Sequence, residues 1–319
     1  MAGKPNPARW VLLGALLCAG CAAPAQILPT PRASAPARAE IPAPTPSATP
    51  APLFDGARAY AWVTRQVAHG PRITGTAGNR ALGDEILAEL AAQGWRALAQ
   101  DFSYKSTAAR NLIGTKTNPQ SKEWVVLGAH YDTRKRADQD PIHPDQPVPG
   151  ANDAASGAAV LLELARVVDV NAAGKNIALV FFDAEDNGDL DGWDWIVGSE
   201  YFAAHLSQTL PVTPSAVVVL DMIGDKDLNI FYEKNSDPAL SAQIWGAAQR
   251  LGFSGQFIPS AKWSMEDDHT PFLRRGIRAV DVIDFDYPDW HRVTDTPDKV
   301  SADSLFRVGR TMQAWLELK

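Results

Sequence analysis

V-V-L-G-A-H-Y-D-T at residues 125–133, followed after a polar loop by G-A-N-D-A-A-S-G-A-A-V-L-L-E-L-A at residues 150–165, decides how this chain folds. The apolar run delivers His130 and Asp132 to its end, and Asp153 opens an amphipathic helix. Potential metal ligands therefore meet at one strand end. A second apolar run, Asn176 to Phe182, follows the helix. Near-continuous apolar runs are the pattern of strands buried on both faces, and the helix of residues 153–169 between them reads as the crossover of a βαβ unit.

The same alternation extends in both directions. Apolar residues at helical spacing predict one helix from about Leu53 to His69 and another from Asn79 to Gln93, with G-P-R-I-T-G-T-A-G as the loop between them. β-type runs follow at Trp95 to Phe102 and Arg110 to Thr115, before a third at Glu123 to Ala129. Beyond Phe182 come strands at Ala216 to Ile223 and Leu228 to Tyr232, a helix from Pro238 to Leu251, a strand at Ala279 to Ile283 and a closing helix from Ser301 to Leu318. Strands alternating with helices around buried strands indicate an α/β sandwich. There is no internal repeat and no Gly-rich phosphate loop.

Composition limits the partners. A chain of 319 residues with 45% hydrophobic content can bury one large core. Its net charge of −7 offers no basic excess to displace counterions, so nucleic acid is not expected as a partner. Residues 1–21, with a basic start and an apolar run from Trp10 to Leu17, read as an export signal. Its end, C-A-G-C, resembles a bacterial lipobox, so Cys21 is expected to carry a lipid; the alternative is ordinary cleavage at a nearby Ala. Residues 22–52 are mostly Pro, Ala, Ser and Thr and read as a disordered tether. The catalytic domain is then 53–319, exported to the periplasm or held at the outer membrane of a bacterium, meeting a membrane only through Cys21, and monomeric. Both cysteines lie in the first 21 residues, so the domain can form no internal disulfide.

In open α/β sheets, sites form beyond the carboxyl ends of the strands. Strand 123–129 ends at His130, Tyr131 and Asp132, strand 176–182 at Asp183, Glu185 and Asp186, and strand 216–220 at Asp221. After strand 279–283, D-F-D-Y-P-D-W-H closes on His291. Asp153, Asp186 and His291 would give zinc three ligands and leave a position open. His130 and Asp221 would add a second metal, bridged by Asp153. For single members the plain alternatives stand: Asp153 as a helix cap, Asp183 as a turn residue. Glu185, beside Asp186 on one loop, suits a general base and acid, while Asp189 and Asp191 read as surface charges. His69, His143 and His205 read as surface or cap residues, and Trp124, Trp245 and Trp263 as packing.

F-F-D-A-E-D at 181–186, G-A-N-D-A-A-S-G at 150–157, V-G-S-E-Y-F at 197–202, L-D-M-I-G at 220–224, E-D-D-H-T-P-F-L-R-R-G at 266–276 and D-W-H at 289–291 together resemble the zinc aminopeptidase superfamily, and within it the glutaminyl-peptide cyclotransferase branch. The resemblance spans about residues 55–319. It implies a three-layer α/β/α sandwich with a mixed, mostly parallel sheet, in which Asp153, Asp186 and His291 hold zinc and Glu185 shuttles protons. The cyclase branch further implies that Asp221 assists Glu185, that Asp267 joins a buried acidic network, and that Trp290 lines the pocket, with Trp193, or equally Trp195, as a further wall. His269 is expected to start a helix and to hydrogen-bond carboxylates behind the site. Two departures from the animal cyclases stand out: Asp186 replaces a Glu ligand, and Asp281 replaces a His.

Peptide or protein N-termini are the implied substrates. One zinc ion suits conversion of N-terminal Gln to pyroglutamate with release of ammonia; two suit an aminopeptidase using His130 and Asp221. A third expectation is an inactive peptide-binding lipoprotein.

Overall fold

Two helices lead into the sheet. In the computed structural model, which describes residues 52–317 and the single residue Gln26, α1 (Gly56–Val67) is capped by the Asp55 carboxylate and α2 (Ala77–Ala92) by the Thr76 hydroxyl. The export signal at 1–21 and the 22–52 tether, apart from Gln26 and Pro52, lie outside the described residues. Residues from 52 onward belong to one compact unit.

The remaining elements are β1 (Arg96–Tyr104), β2 (Thr107–Lys116), β3 (Trp124–His130), α3 (Ala155–Val167), the single turn α4 (Val170–Ala173), β4 (Asn176–Phe182), α5 (Val197–Ala204) and β5 (Ala216–Asp221). They continue with β6 (Ile230–Tyr232), α6 (Pro238–Arg250), β7 (Phe257–Ala261), the short α7 (Thr270–Arg274), β8 (Ala279–Ile283) and α8 (Ala302–Glu317). Six strands form one sheet in the order β1-β2-β4-β3-β5-β8. β4, β3, β5 and β8 are parallel, and β2 and β1 extend the sheet by antiparallel pairing.

All seven residues of β3 and of β4 are buried, because helices cover both faces. On one face Val125, Leu127 and Ala129 pack with residues of α1, α2, α3, α6 and α8. On the other, Val126, Val180 and Val219 pack with Phe202 of α5 and Phe272 of α7. This is a three-layer α/β/α sandwich. α3 sits so close to the sheet that a Cβ on Gly157 would lie 2.2 Å from the Leu220 carbonyl oxygen and 3.0 Å from the Ala129 Cβ. Only glycine lets the helix lie that near to β3 and β5. Among the described residues, no helix is long and apolar enough to cross a membrane.

The observed elements depart from the expected ones at the crossover helix, at β6 and β7, at α5 and at the end of β5, which stops at Asp221. The crossover helix starts at Ala155 rather than Asp153, and its N-cap residue Ala154 makes no side-chain cap. β6 pairs with β7 in a separate two-stranded sheet. β7, F-I-P-S-A, is largely exposed and contains a proline, so it has no apolar signature, and α5 has only eight residues.

Candidate active site

The parallel strands bring their carboxyl ends to one edge, and at three points near that edge the chain turns abruptly. Ala184 after β4, Met222 after β5, and His291 itself have φ of 61°, 47° and 55°, in the left-handed region that side chains rarely adopt. The turn at Ala184 is held by hydrogen bonds from Val197 N to the Ala184 carbonyl and from Ile196 N to the Glu185 carbonyl. Asp132 receives the backbone N–H groups of Glu185 at 3.1 Å and Asp186 at 3.3 Å. Its carboxylate therefore sets the position of the 185–186 loop.

Two clusters of possible ligand atoms result. Asp153, Asp186 and His291 form one, and His130, Asp153 and Asp221 the other, with the atoms of each lying within 4.8 Å of one another. His291 Nε2 stands 3.1 Å from Asp186 Oδ1 and 3.8 Å from Asp153 Oδ2. His130 Nε2 stands 3.1 Å from both Asp153 Oδ1 and Asp221 Oδ1. Asp153 is thus shared, and its carboxylate points into the site instead of capping α3. The backbone N–H groups of Asn152 and Asp153 are received by Asp295, and Arg72, fully buried, donates to the Pro149 and Gly150 carbonyls.

The electrostatics of the site are those of crowded carboxylates. Burial, reinforced by the charge of Asp153, lifts Asp186 to about 6 against the pull of His291. Burial likewise lifts Asp221 to about 7. Burial also pushes Glu185 well above the usual range, with His130 opposing and Asp186, Asp268 and Asp267 adding. Burial works against protonation of His291, yet Asp186, Asp138 and Asp153 outweigh it and raise its imidazole to about 9. For Asp153 burial is outweighed by His130 and His291, and its carboxyl is held below the usual range.

Asp186 Oδ2, His130 Nδ1 and His291 Nδ1 are buried without a hydrogen-bond partner among the described residues. Buried polar atoms are ordinarily satisfied. Of these three atoms, Asp186 Oδ2 belongs to the first cluster; with Asp153 Oδ2 and His291 Nε2 beside it, two carboxylates and an imidazole converge there and fit a divalent cation such as zinc.

Beside the clusters lies a cavity of about 240 Å³. Its polar wall is Asp153, Glu185, Asp186, Asp221, Asp267 and His291, and its apolar wall includes Trp195, Trp290, Met265 and Phe285. Trp290 stacks on His291 with ring centroids 3.8 Å apart, and Trp195 lies nearly parallel to the same imidazole at 5.9 Å. Of the two tryptophans weighed for this wall, Trp193 is the wrong one: it does not line the cavity, and its ring packs edge-on against Tyr104 at 5.2 Å. The turn that closes from Asp189 N to the Trp193 carbonyl directs it away, whereas the Arg134 guanidinium sits 4.7 Å from the Trp195 ring.

Asp267, on the cavity wall, and Asp268 precede α7, and His269 Nε2 stands 3.2 Å from the buried Glu233. Asp281 is wholly buried on β8, both its oxygens without a hydrogen bond among the described residues. Asp183, readable as a turn residue, is instead a buried node: it accepts from Thr74, Asn79, the Arg110 N–H and Tyr131. Trp124 and Trp245 are core, and His69 is half-buried against Glu85 at 2.6 Å.

Sequence reasoning missed Arg72, Arg134, Asp138, Glu233 and Asp295. Arg72, Asp295 and the Arg134–Asp186 contact act across 50 or more positions, Glu233 reaches Met265 and His269 across 32 and 36, and only the Arg134–Asp138 pair, four residues apart, left a local signal in an otherwise charged loop.

The model of peptidase family M28 matches residues 111–316. The glutaminyl-peptide cyclotransferase of Bos taurus is 28% identical over 252 residues, covering 67% of each chain. Aminopeptidase YwaD of Bacillus subtilis is 27% identical over 227 residues, covering 66% of this chain and 45% of that one. The chain thus spans between about half and two thirds of the length of these curated relatives. The solved structure of Porphyromonas gingivalis glutaminyl cyclase superposes with a TM-score of 0.77 at 33% identity, over 83% of this chain and 98% of that one. The family model covers well over half of the chain and the fold agrees with that of the solved relative, so the chain belongs to peptidase family M28.

Proposed function

We propose that this chain is a zinc-dependent glutaminyl-peptide cyclotransferase, converting the N-terminal Gln of peptides or proteins to pyroglutamate. The observation that supports this reading is the small cavity lined by Trp195 and Trp290, both parallel or stacked to the His291 ring, together with Glu185, Asp221 and Asp267. A cavity of about 240 Å³ suits a single side chain with its backbone amine.

Asp153, Asp186 and His291 would hold zinc, which supplies Lewis-acid polarisation of a bound amide carbonyl. Glu185 takes a proton from the substrate's α-amine as that nitrogen attacks the γ-carbonyl carbon. The new C–N bond closes the five-membered ring, the bond to the amide nitrogen breaks, and Glu185 returns the proton to the departing ammonia. Water is neither consumed nor needed, so the aromatic walls also serve to exclude it. Burial, with Asp186, Asp268 and Asp267 adding to it, raises the Glu185 carboxyl and so favours its holding the proton between the two steps.

A second reading has its own observation. His130, Asp153 and Asp221 form a complete second cluster, the ligand set of a two-metal aminopeptidase. Incubation with a glutaminyl arylamide and with a leucine anilide separates the two. Ammonia and pyroglutamate from the first support the cyclase, and free aniline from the second with no ammonia from the first would sink it. Export through residues 1–21, with Cys21 lipidated and 22–52 as tether, remains part of the proposal; it rests on the sequence pattern and is tested by metabolic labelling with a fatty acid in wild type and Cys21→Ala.

A further inference from the structure

The loop from Tyr131 to Ala151 is built into the site wall. Val148 N donates to the Arg134 carbonyl at 3.1 Å and Ala137 N to the Gln146 carbonyl at 2.7 Å. Two further bonds tie the loop to the segment carrying His291: Val293 N donates to Asp140 Oδ2 at 3.2 Å, and Gln139 N to the His291 carbonyl at 3.4 Å.

At the centre of this contact sits one ion pair. Arg134, its side chain 2% exposed, donates from Nε to Asp138 Oδ1 at 2.6 Å and from Nη2 to Asp138 Oδ2 at 2.9 Å. That two-pronged geometry fixes both side chains as one plane. The third nitrogen of the fork, Nη1, donates to the Asp186 carbonyl at 3.0 Å and lies 3.7 Å from Asp186 Oδ1. On the other side, Asp138 Oδ1 approaches His291 Nδ1 to 3.3 Å, within ion-pair distance but out of hydrogen-bond alignment. His291 thus presents Nε2 to Asp186 and Asp153 and turns its other nitrogen to Asp138. Trp195 covers the guanidinium from the cavity side.

We propose that Arg134 and Asp138 form a positioning clamp for the metal site, orienting His291 through its Nδ1 and Asp186 through its backbone, and so setting the zinc affinity of the Asp153, Asp186 and His291 cluster. The proposal rests on reading those three residues as ligands. A carboxylate behind a ligating imidazole fixes its tautomer and orientation, and its removal typically lowers metal affinity about 10–100-fold. The clamp has a second property: as an ion pair it carries no net charge, so it orients two ligands without adding to the site's own excess of carboxylates. Removing Asp138 alone leaves Arg134 uncompensated beside a cation. Removing both loses only the orientation.

The test is zinc affinity of the full domain, measured by competition with a chromophoric chelator and needing no substrate. Asp138→Ala should weaken zinc binding by about 10–100-fold. Asp138→Asn, nearly isosteric, should weaken it less, and the double variant Arg134→Met with Asp138→Ala should bind better than Asp138→Ala alone. Cobalt(II) bound in place of zinc should show an altered visible spectrum in Asp138→Ala; the metal-free variant is also expected to melt lower, since it leaves a buried guanidinium unpaired, but a merely structural ion pair would lower that temperature and leave the spectrum unchanged. Unchanged affinity and spectrum in Asp138→Ala would overturn the clamp. So would an equal loss in Asp145→Asn, an exposed acid of the same loop, because that would reduce the effect to bulk charge. A wild-type protein that takes up no zinc would refute the ligand reading itself, a separate result from wild-type binding that the Asp138 variants leave intact.

Discussion

Replacing Glu185 by Gln removes the one group to which both halves of the proposed reaction assign a proton, and it changes little else. Gln has the same length, and the backbone at 185 is held by Asp132 at 3.1 Å, a bond the substitution does not touch. Asp153, Asp186 and His291 keep their mutual distances, so zinc should remain bound. A positioned general base and acid contributes about 10²–10⁴ in rate, or roughly 2.7–5.4 kcal/mol of barrier. The upper half of that range is expected here, since the Glu185 side chain is only 11% exposed and solvent has little access to it. The assay is ammonia release from a glutaminyl peptide at saturating substrate, with zinc content measured on the same sample. The fall should be in kcat, with KM within a few-fold of wild type. A variant that keeps more than a tenth of wild-type kcat would refute the assignment of proton transfer to Glu185. Loss of zinc together with activity would equally remove the ground for it, since the residue would then be acting on the site's metal.

Other outcomes follow from the same geometry. Trp195→Ala should raise KM for glutaminyl peptides at least several-fold while Trp193→Ala leaves it unchanged, because only the former lines the cavity, and steady-state kinetics on the pair reads the difference. Gly157→Ala should destabilise the fold by about 1–3 kcal/mol through overpacking against the Leu220 carbonyl and Ala129, seen as a melting temperature lower by several degrees. Glu233 gives a pH signature. Burial alone would raise its carboxyl, but His269 and the N–H groups of Asn235 and Met265 outweigh burial and depress it to about 2. A depressed carboxyl contributes stability above its unfolded value near 4.3 and loses it as pH falls towards 2. The stability gap between wild type and Glu233→Gln in denaturant titrations should therefore be about 3 kcal/mol at pH 6 and close on acidification; a gap independent of pH would refute the assignment. Chelation should abolish activity and lower the melting temperature together, with zinc restoring both.

Much of this molecule is legible in its sequence, for a physical reason. β3 and β4 are buried on both faces, which forces unbroken apolar runs, and the parallel arrangement forces their functional residues to the carboxyl ends. His130, Glu185, Asp186 and Asp221 were found by that logic alone. What escaped depends on direction. Asp132 sits two residues from His130 yet turns to backbone N–H groups, and nothing in H-Y-D-T distinguishes a ligand from a loop anchor. Trp193 and Trp195 alternate along one chain, so a single residue of turn decides which faces the cavity. Arg72 and Asp295 hold the 149–153 segment from sequence distances of 77 and 142, beyond any local pattern. β7 escaped because an exposed two-stranded ribbon needs no apolar code.

The left-handed turns at Ala184, Met222 and His291 set a limit on how this chemistry can be moved. A side chain copied onto the end of another protein's strand would leave in the ordinary extended direction and pass the cavity by. What can be transplanted is a strand together with its backward turn and the N–H acceptor that pins it. The same feature narrows the routes open to drift, since β-branched residues at 184 or 222 would strain the backbone before they touched the catalytic groups.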